Sequence, residues 1–292
     1  RYGVDATFSD YEELLAELEL DGIGIAVGPG QHPRIAIAAL ERGLPVFMEK
    51  PPALDQAGAE GIAAAAKAAD KLVCLGFMKR FSTGNKIAKN LLNAATFGPR
   101  LGITASYMTA PTYFEGDPDY RGFFLHHCIH YLDLLPWLMG APITDISARE
   151  IEHAPGKLLI HLSLAFGSGA IGTLVMGTVQ SRGGPVETIQ IMGDHQRIEI
   201  SNVTDVNYVR DPAFKAEDAG ATLDDAADSL CWTPNFTVAA NEDHKGYRAL
   251  LQASLDAMRG RPSEAPTIDD GVRAMATLAT MTAALGRTVR AS

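Results

Sequence analysis

Three short apolar runs, GIGIAV (22–27), LPVFME (44–49) and KLVCLGF (71–77), alternate with stretches of helical periodicity. Apolar runs without polar alternation suit strands buried on both faces. Strands joined through helices must lie parallel, so this alternation confines the first part of the chain to a doubly wound parallel sheet. The punctuation agrees. Ser9 reads as the N-cap of a helix with Tyr11, Leu14, Leu15 and Leu18 on one side, ending at Asp21-Gly22. A second helix over 33–42 stops at Gly43, and an alanine-rich helix covers 55–69.

Past residue 80 the pattern changes. A helix at 84–95 precedes a strand in GPRLGITASYMT, and a helix covers HHCIHYLDLLPWLMG, with Pro136 able to bend it. Longer β segments follow in ITDISAREIE, KLLIHLSLAF, AIGTLVMGTVQ, VETIQIMG and QRIEISN, separated by turn residues as in a largely antiparallel sheet. GSGAIG leads into no helix and reads as a hairpin turn. Residues 211–235 read as a long loop, within which Trp232-Thr233-Pro234-Asn235 is a weak candidate pocket cap. Helices at 244–259 and 268–285 close the chain. The expected organisation is α/β. A parallel-sheet domain over 1–78 precedes an α+β domain over 79–292 with a large open sheet, and the final helix is able to pack back on the first domain.

A net charge of -10 with no basic run excludes a nucleic-acid surface. Cys74, Cys128 and Cys231 are sparse and unpaired in spacing, which fits reduced thiols and a cytoplasmic setting. No apolar run reaches the roughly 18 residues of a membrane span. The opening RYGVDATFSD has no basic-then-apolar leader.

Ligands of open parallel sheets bind beyond the carboxyl ends of the strands. That rule selects Gly28-Pro29-Gly30-Gln31-His32 and Glu49-Lys50-Pro51. Glycines let a backbone approach a ligand, and a strand-end lysine can stabilise an alkoxide or move a proton. Taken alone, Glu49 and Lys50 would more often be surface charges. The other constellation is FFLHHCIHYLDLLPWLMG. On a regular helix His126, His130 and Asp133 stand at i, i+4 and i+7 and share a face, while His127 belongs to a neighbouring one. Such a trio invites a metal. A satisfied polar cluster is the better reading, and no metal is assigned. Cys128 reads as a buried helix cysteine rather than a nucleophile, and His153, His161, His195 and His244 are scattered.

The stretch HPRIAIAALERGLPVFMEKPPALD resembles the signature of the Gfo/Idh/MocA oxidoreductase family, from its helix through the Ala-Leu-x-x-Gly turn to Glu-Lys-Pro. GFMKRFS, MGDHQRIEIS and TIDDGVRAMATLATMTAALGRTVR resemble later family segments, in order, over nearly the whole chain. The resemblance implies hydride transfer between NAD or NADP and a hydroxyl-bearing carbon of a sugar or cyclitol. It puts Lys50 between nicotinamide and substrate and Glu49 on the nicotinamide-side ribose. Gly28, Pro29, Gly30, His32 and Pro51 line the cofactor channel. Lys79, Arg80, His126, His127 and His130 lie near the substrate; His130 is the general acid/base, His126 stands beside it in the catalytic set, and Asp133 orients or charge-stabilises His130. The family has a carboxylate four residues before that histidine. Here it is His126, which departs from the pattern and puts the mechanism in question. One sheet face is expected to pair with another subunit, giving a homodimer or homotetramer.

A Rossmann-like dinucleotide fold normally opens with strand, GxGxxG and helix, on the order of 30 residues. No such unit precedes Ser9, so an incomplete nucleotide domain and a truncated sequence are expected. Two rivals follow. One is a non-catalytic carbohydrate-binding or interaction protein without the nucleotide half. The other is a redox-assisted glycosidase or lyase, or a metal enzyme built on His126, His130 and Asp133.

Overall fold

The computed structural model describes residues 3–114, 116, 119–181, 184–210, 229–232 and 243–287. It divides into two units. The first takes the chain up to Phe77 together with Leu250–Ala276 and Arg290–Ser292, and the second takes Met78–Ala249 with Thr277–Val289.

In the first unit β1 (Ile23–Ile25), β2 (Val46–Met48) and β3 (Val73–Leu75) pair in parallel, with β2 central. The β2 residues Val46 and Met48 are fully buried, as a middle strand between helices requires. Helices α1 (Tyr11–Glu17), α2 (His32–Glu41) and α3 (Gln56–Ala69) flank the strands. Small buried residues, Ala36 and Ala39 on α2 and Ala59 on α3, let those two helices pack against each other. The N-cap of α1 is Asp10 rather than the expected Ser9. The helix begins at Tyr11, and the side chain immediately before it is the one that reaches the free Glu12 amide, at 2.8 Å. Asp55 caps α3 in the same way through the Gly58 amide, and Gly43 follows α2 with φ +75. The segment before the last helix joins β3. The Leu75 amide donates to the Pro266 carbonyl at 2.9 Å, and Cys74 bridges Thr267.

The second unit holds an eight-stranded sheet. Its strands are β4 (Gly102–Met108), β5 (Ile143–Ala154), β6 (Lys157–Phe166), β7 (Ile171–Gly177), β8 (Val186–Gly193), β9 (Gln196–Ser201), β10 (Asp205–Arg210) and β11 (Ser229–Trp232). The order is β11-β10-β9-β8-β4-β7-β6-β5. Neighbours are antiparallel except β4 and β7, because β4 inserts between strands formed much later in the chain. One face is apolar: Ile103 and Ala105 of β4, Leu162 of β6, Leu174 of β7, Ile191 of β8 and Ile198 of β9 are buried. Helix α4 (Thr83–Asn93) packs on β9 and β10. Its Gly84 has no room for a side chain, since a Cβ would stand 2.7 Å from the Val203 carbonyl oxygen.

Two expectations are corrected. Residues 229–232 form β11, paired with β10, inside what reads as loop at 211–235. Leu230 and Trp232 fit a strand, but the surrounding acid-rich composition masks it. Thr233, Pro234 and Asn235 lie outside the described residues. The helix over HHCIHYLDLLPWLMG is not regular. Helix α5 (Arg121–Phe123) runs into a π-helix (Phe124–Cys128), and α6 (Ile129–Met139) follows with Pro136 inside it. Helices α7 (Tyr247–Met258) and α8 (Ile268–Ala284) end the described fold. Among the described residues no helix is long and apolar enough to cross a membrane.

Candidate functional site

The sequence-derived residues fall in two groups, one in each unit. In the first, the carboxyl ends of the parallel strands bring the two expected loops side by side. The Glu49 amide donates to the Ile25 carbonyl at 2.9 Å and the Gly76 amide to the Met48 carbonyl at 2.8 Å, so the ladder continues past β2 into the Glu-Lys-Pro turn. The Lys50–Pro51 peptide is cis. Pro51, Pro52 and Ala53 are buried behind it, whereas Glu49 and Lys50 are half-buried. Glu49 lies across Gly76, where an added Cβ would stand 2.7 Å from Glu49 Oε2 and 3.1 Å from its Cα. Glycine at 76 therefore makes the space the carboxylate occupies, a role that sequence reading missed.

Gly28 and Gly30 are exposed, with Pro29 half-buried between them. A Cβ at Gly28 would meet nothing within 4 Å, and one at Gly30 would only touch Leu54 at 3.4 Å. No neighbour in the chain demands glycine at either place. The open backbone beside Glu49 and Lys50 suits a ligand that lies flat against it, as the nicotinamide end of a dinucleotide would. The residues present fit that end of the cofactor. No strand–GxGxxG–helix unit occurs among the 292 residues for the pyrophosphate.

His32 sits differently from its expected place on the channel wall. It is fully buried, and its Nδ1 is 2.8 Å from the Pro51 carbonyl oxygen. It opens α2, whose first turn packs it inward behind the Glu-Lys-Pro turn.

The second group gathers around a 3-10 turn, Met78–Phe81. Lys79 is 7% exposed and donates to Glu187 Oε2 at 2.5 Å. The Tyr131 hydroxyl donates to the same carboxylate oxygen. Burial first, and the Glu187 charge next, hold the Tyr131 phenol well above its ordinary pKa, so the proton stays on the tyrosine oxygen. The Lys79 ammonium also stands 5.3 Å from the Tyr131 ring centre and 5.7 Å from that of Tyr107. Arg80 grips Asp133 with both prongs, Nε to Oδ2 at 2.8 Å and Nη2 to Oδ1. Lys79, buried, and Arg80, partly buried, are thus ion-pair partners rather than solvated charges.

His130 and Asp133 lie on α6, 6% and 5% exposed. His126 does not join them in a regular i, i+4 register. It belongs to the π-helix, whose wider turn changes the facing, and it is exposed. His127 is half-buried, with Nδ1 2.5 Å from the Tyr107 hydroxyl and its ring packed against Phe114 and Phe123. Among the described residues no group of three His, Cys, Asp or Glu side chains is arranged to hold a metal. His126, exposed on the π-helix, is thus not grouped with His130 and Asp133. Burial pushes the Cys128 thiol well up, which suits an inert core cysteine. Glu187, Tyr107 and Tyr131 carry the buried network and escaped the sequence reading. Their pairing depends on sheet register across up to 108 positions, which no local pattern reveals.

Comparison with known proteins gives a consistent result. Residues 1–77 match the family model described as Gfo/Idh/MocA oxidoreductase family, NAD-binding Rossmann fold, and residues 117–289 match its C-terminal α/β domain. A myo-inositol 2-dehydrogenase from Thermotoga maritima is 26% identical over 217 residues, 72% of this chain and 65% of the relative. The chain thus spans under two thirds of that relative's length. Among solved structures, a dehydrogenase from Chromobacterium violaceum superposes with TM-score 0.81 at 21% identity, over 95% of this chain and 80% of that one. A levoglucosan dehydrogenase in complex with NADH and L-sorbose gives TM-score 0.78 at 16% identity, over 95% of this chain and 81% of the other.

Proposed function

The chain belongs to the Gfo/Idh/MocA family of oxidoreductases, and on that premise we propose that it oxidises a secondary hydroxyl of a sugar or cyclitol, or reduces the corresponding ketone. The observation that carries this reading is the Glu49-Lys50-Pro51 turn at the carboxyl end of β2, beside the open backbone of Gly28 and Gly30. Gly28, Pro29, Gly30, Glu49 and Pro51 would hold the nicotinamide end of NAD or NADP. When bound, that ring accepts a hydride from the carbinol carbon or returns one to the carbonyl carbon.

The chain's own residues supply the proton chemistry. Oxidation of a hydroxyl releases one proton for each hydride that leaves. We assign Lys50 the stabilisation of the oxygen as that proton departs, and carry over to His130, from the family pattern alone, the role of general acid/base. In reduction the proton flows the other way. Asp133, gripped by Arg80, fixes the turn of α6 that follows His130. Lys79 neutralises Glu187 within the unit, so neither presents an uncompensated charge to a neutral polyol.

The names of the relatives support a polyol substrate, and their inositol members make cyclitols the first compounds to test. The exposed face of the large sheet carries Thr104, Thr188, His161 and Ser163, with Ser106 and Thr188 bonded to each other at 2.7 Å. Arg149, Arg197 and Glu199 share this face by register, and we assign it to a second copy of the chain, as a homodimer or homotetramer. Cys74, Cys128 and Cys231 form no disulfide, which supports a reducing cytoplasmic setting. The test is a screen of cyclitols and aldoses with NAD⁺ and NADP⁺, following reduced nicotinamide by absorbance. At least one pair should react, and Lys50→Ala or His130→Ala should lower the rate by on the order of 10²-fold or more. Silence across the panel with both cofactors would contradict the proposal.

A further inference from the structure

His32 is the sole fully buried histidine among the described residues, and its ring touches the turn on which the proposed chemistry depends. A carbonyl oxygen can only accept, so the 2.8 Å contact with Pro51 requires the proton to be on Nδ1. Burial lowers the His32 pKa, and the Pro51 and Val27 carbonyls and the Glu49 charge only partly oppose that. The ring is therefore neutral near neutral pH. Its Nε2 is buried and makes no hydrogen bond of good geometry, although the Val27 carbonyl lies near enough to the ring to raise its pKa. The bond from Nδ1 to the Pro51 carbonyl is the one the ring makes at good geometry. That bond ties the first turn of α2, which follows the Gly28-Pro29-Gly30 loop, to the residue after Lys50.

The neighbouring supports leave this bond a specific task. The ladder bonds from Glu49 to Ile25 and from Gly76 to Met48 fix the backbone as far as Glu49. Gly76 fixes where the Glu49 carboxylate lies. Beyond Lys50 the next backbone group held by a described side chain is the Pro51 carbonyl, and His32 holds it. Lys50 is thus suspended between two anchored peptides.

We propose that His32 is a positioning residue for Lys50: by donating from Nδ1 to the Pro51 carbonyl it fixes the turn that aims the Lys50 ammonium, and it touches neither cofactor nor substrate. The proposal rests on the reading above only for the use to which Lys50 is put.

Two side chains of similar polarity separate this role from simple core packing. Asparagine places its amide nitrogen where Nδ1 of histidine stands, and glutamine places it nearer Nε2. The experiment combines ¹⁵N NMR of His32 with ¹³C reductive methylation of the lysines, the Lys50 signal being identified by its loss in Lys50→Arg. The ring should show a protonated Nδ1 and a bare Nε2 at neutral pH. His32→Asn should keep the wild-type Lys50 resonance and titration midpoint, whereas His32→Gln and His32→Leu displace both. An Nε2–H tautomer, or a Lys50 signal identical in the wild type, His32→Asn and His32→Gln, would overturn the proposal. If His32→Leu fails to fold, the Asn and Gln pair still decides. These readouts need no substrate. A displaced Lys50 in a protein that oxidises no polyol would leave the positioning role standing and remove the catalytic one.

Discussion

Lys50 and Lys79 each stand just beyond a strand of the parallel sheet, two residues past β2 and four past β3, yet their surroundings are built from different materials. The turn of Lys50 is held by neutral groups: ladder amides, the space above Gly76 and the uncharged ring of His32. The turn of Lys79 is held by charges. Lys79 pairs with Glu187, Arg80 with Asp133, and the Tyr131 phenol serves the same Glu187 oxygen. Neutral supports can be lost one at a time with modest loss. A buried charge depends on its partner, because the survivor stays desolvated without compensation. The Lys50 turn is thus half-buried on neutral backbone supports, while Lys79 is committed to Glu187 within its own unit.

Breaking that contrast should produce graded effects. The largest is expected at Asp133→Ala, which takes the bidentate carboxylate from a partly buried guanidinium and should reduce unfolding free energy by about 3 kcal/mol in urea titration. Glu187→Leu should come close to this. Lys79→Met combined with Glu187→Leu should recover most of the loss, since replacing both members of a buried pair by apolar groups is often neutral. A double variant as unstable as the single one would show that Tyr131, rather than the ion pair, dominates. Gly76→Ala meets the movable end of Glu49 first and should lose about 1–3 kcal/mol by the same titration, with looser nicotinamide binding in calorimetry.

The smallest effect concerns pH. The folded-state pKa of His32 lies below the ordinary 6.5, so the unfolded chain binds more protons in that window. Its stability contribution is complete above about pH 6.5 and declines as the pH falls towards the depressed folded value. Thermal melts from pH 7.5 down to about 5 should show this decline in the wild type, and His32→Asn should remove that component.

The legibility of these regions in the sequence follows their construction. GIGIAV, LPVFME and KLVCLGF announce β1 to β3 because burial on both faces leaves a continuous apolar run. Gly43 and Asp55 mark helix ends through interactions with the next few residues. The Glu-Lys-Pro turn is equally local, so its place at a strand end can be read directly. What depends on distant register cannot. Glu187 looks like any polar residue alternating on β8 until Lys79, 108 positions away, is brought against it. The π-helix at Phe124–Cys128 has no composition of its own, and it removes His126 from the face that regular helical spacing assigns. His32 is visible as a residue but not as a support, because its partner is a backbone carbonyl 19 positions away.

The proposed activity is hydride transfer between a carbinol carbon and a nicotinamide. It is tested most directly with a reactive cyclitol or sugar that carries deuterium on that carbon, incubated with oxidised cofactor and analysed by mass spectrometry. Hydride transfer puts one deuterium in each molecule of reduced cofactor, with the label lost from the product and the transfer suppressed in Lys50→Ala. Product formed with the deuterium still on carbon and no labelled cofactor at any stage would contradict it.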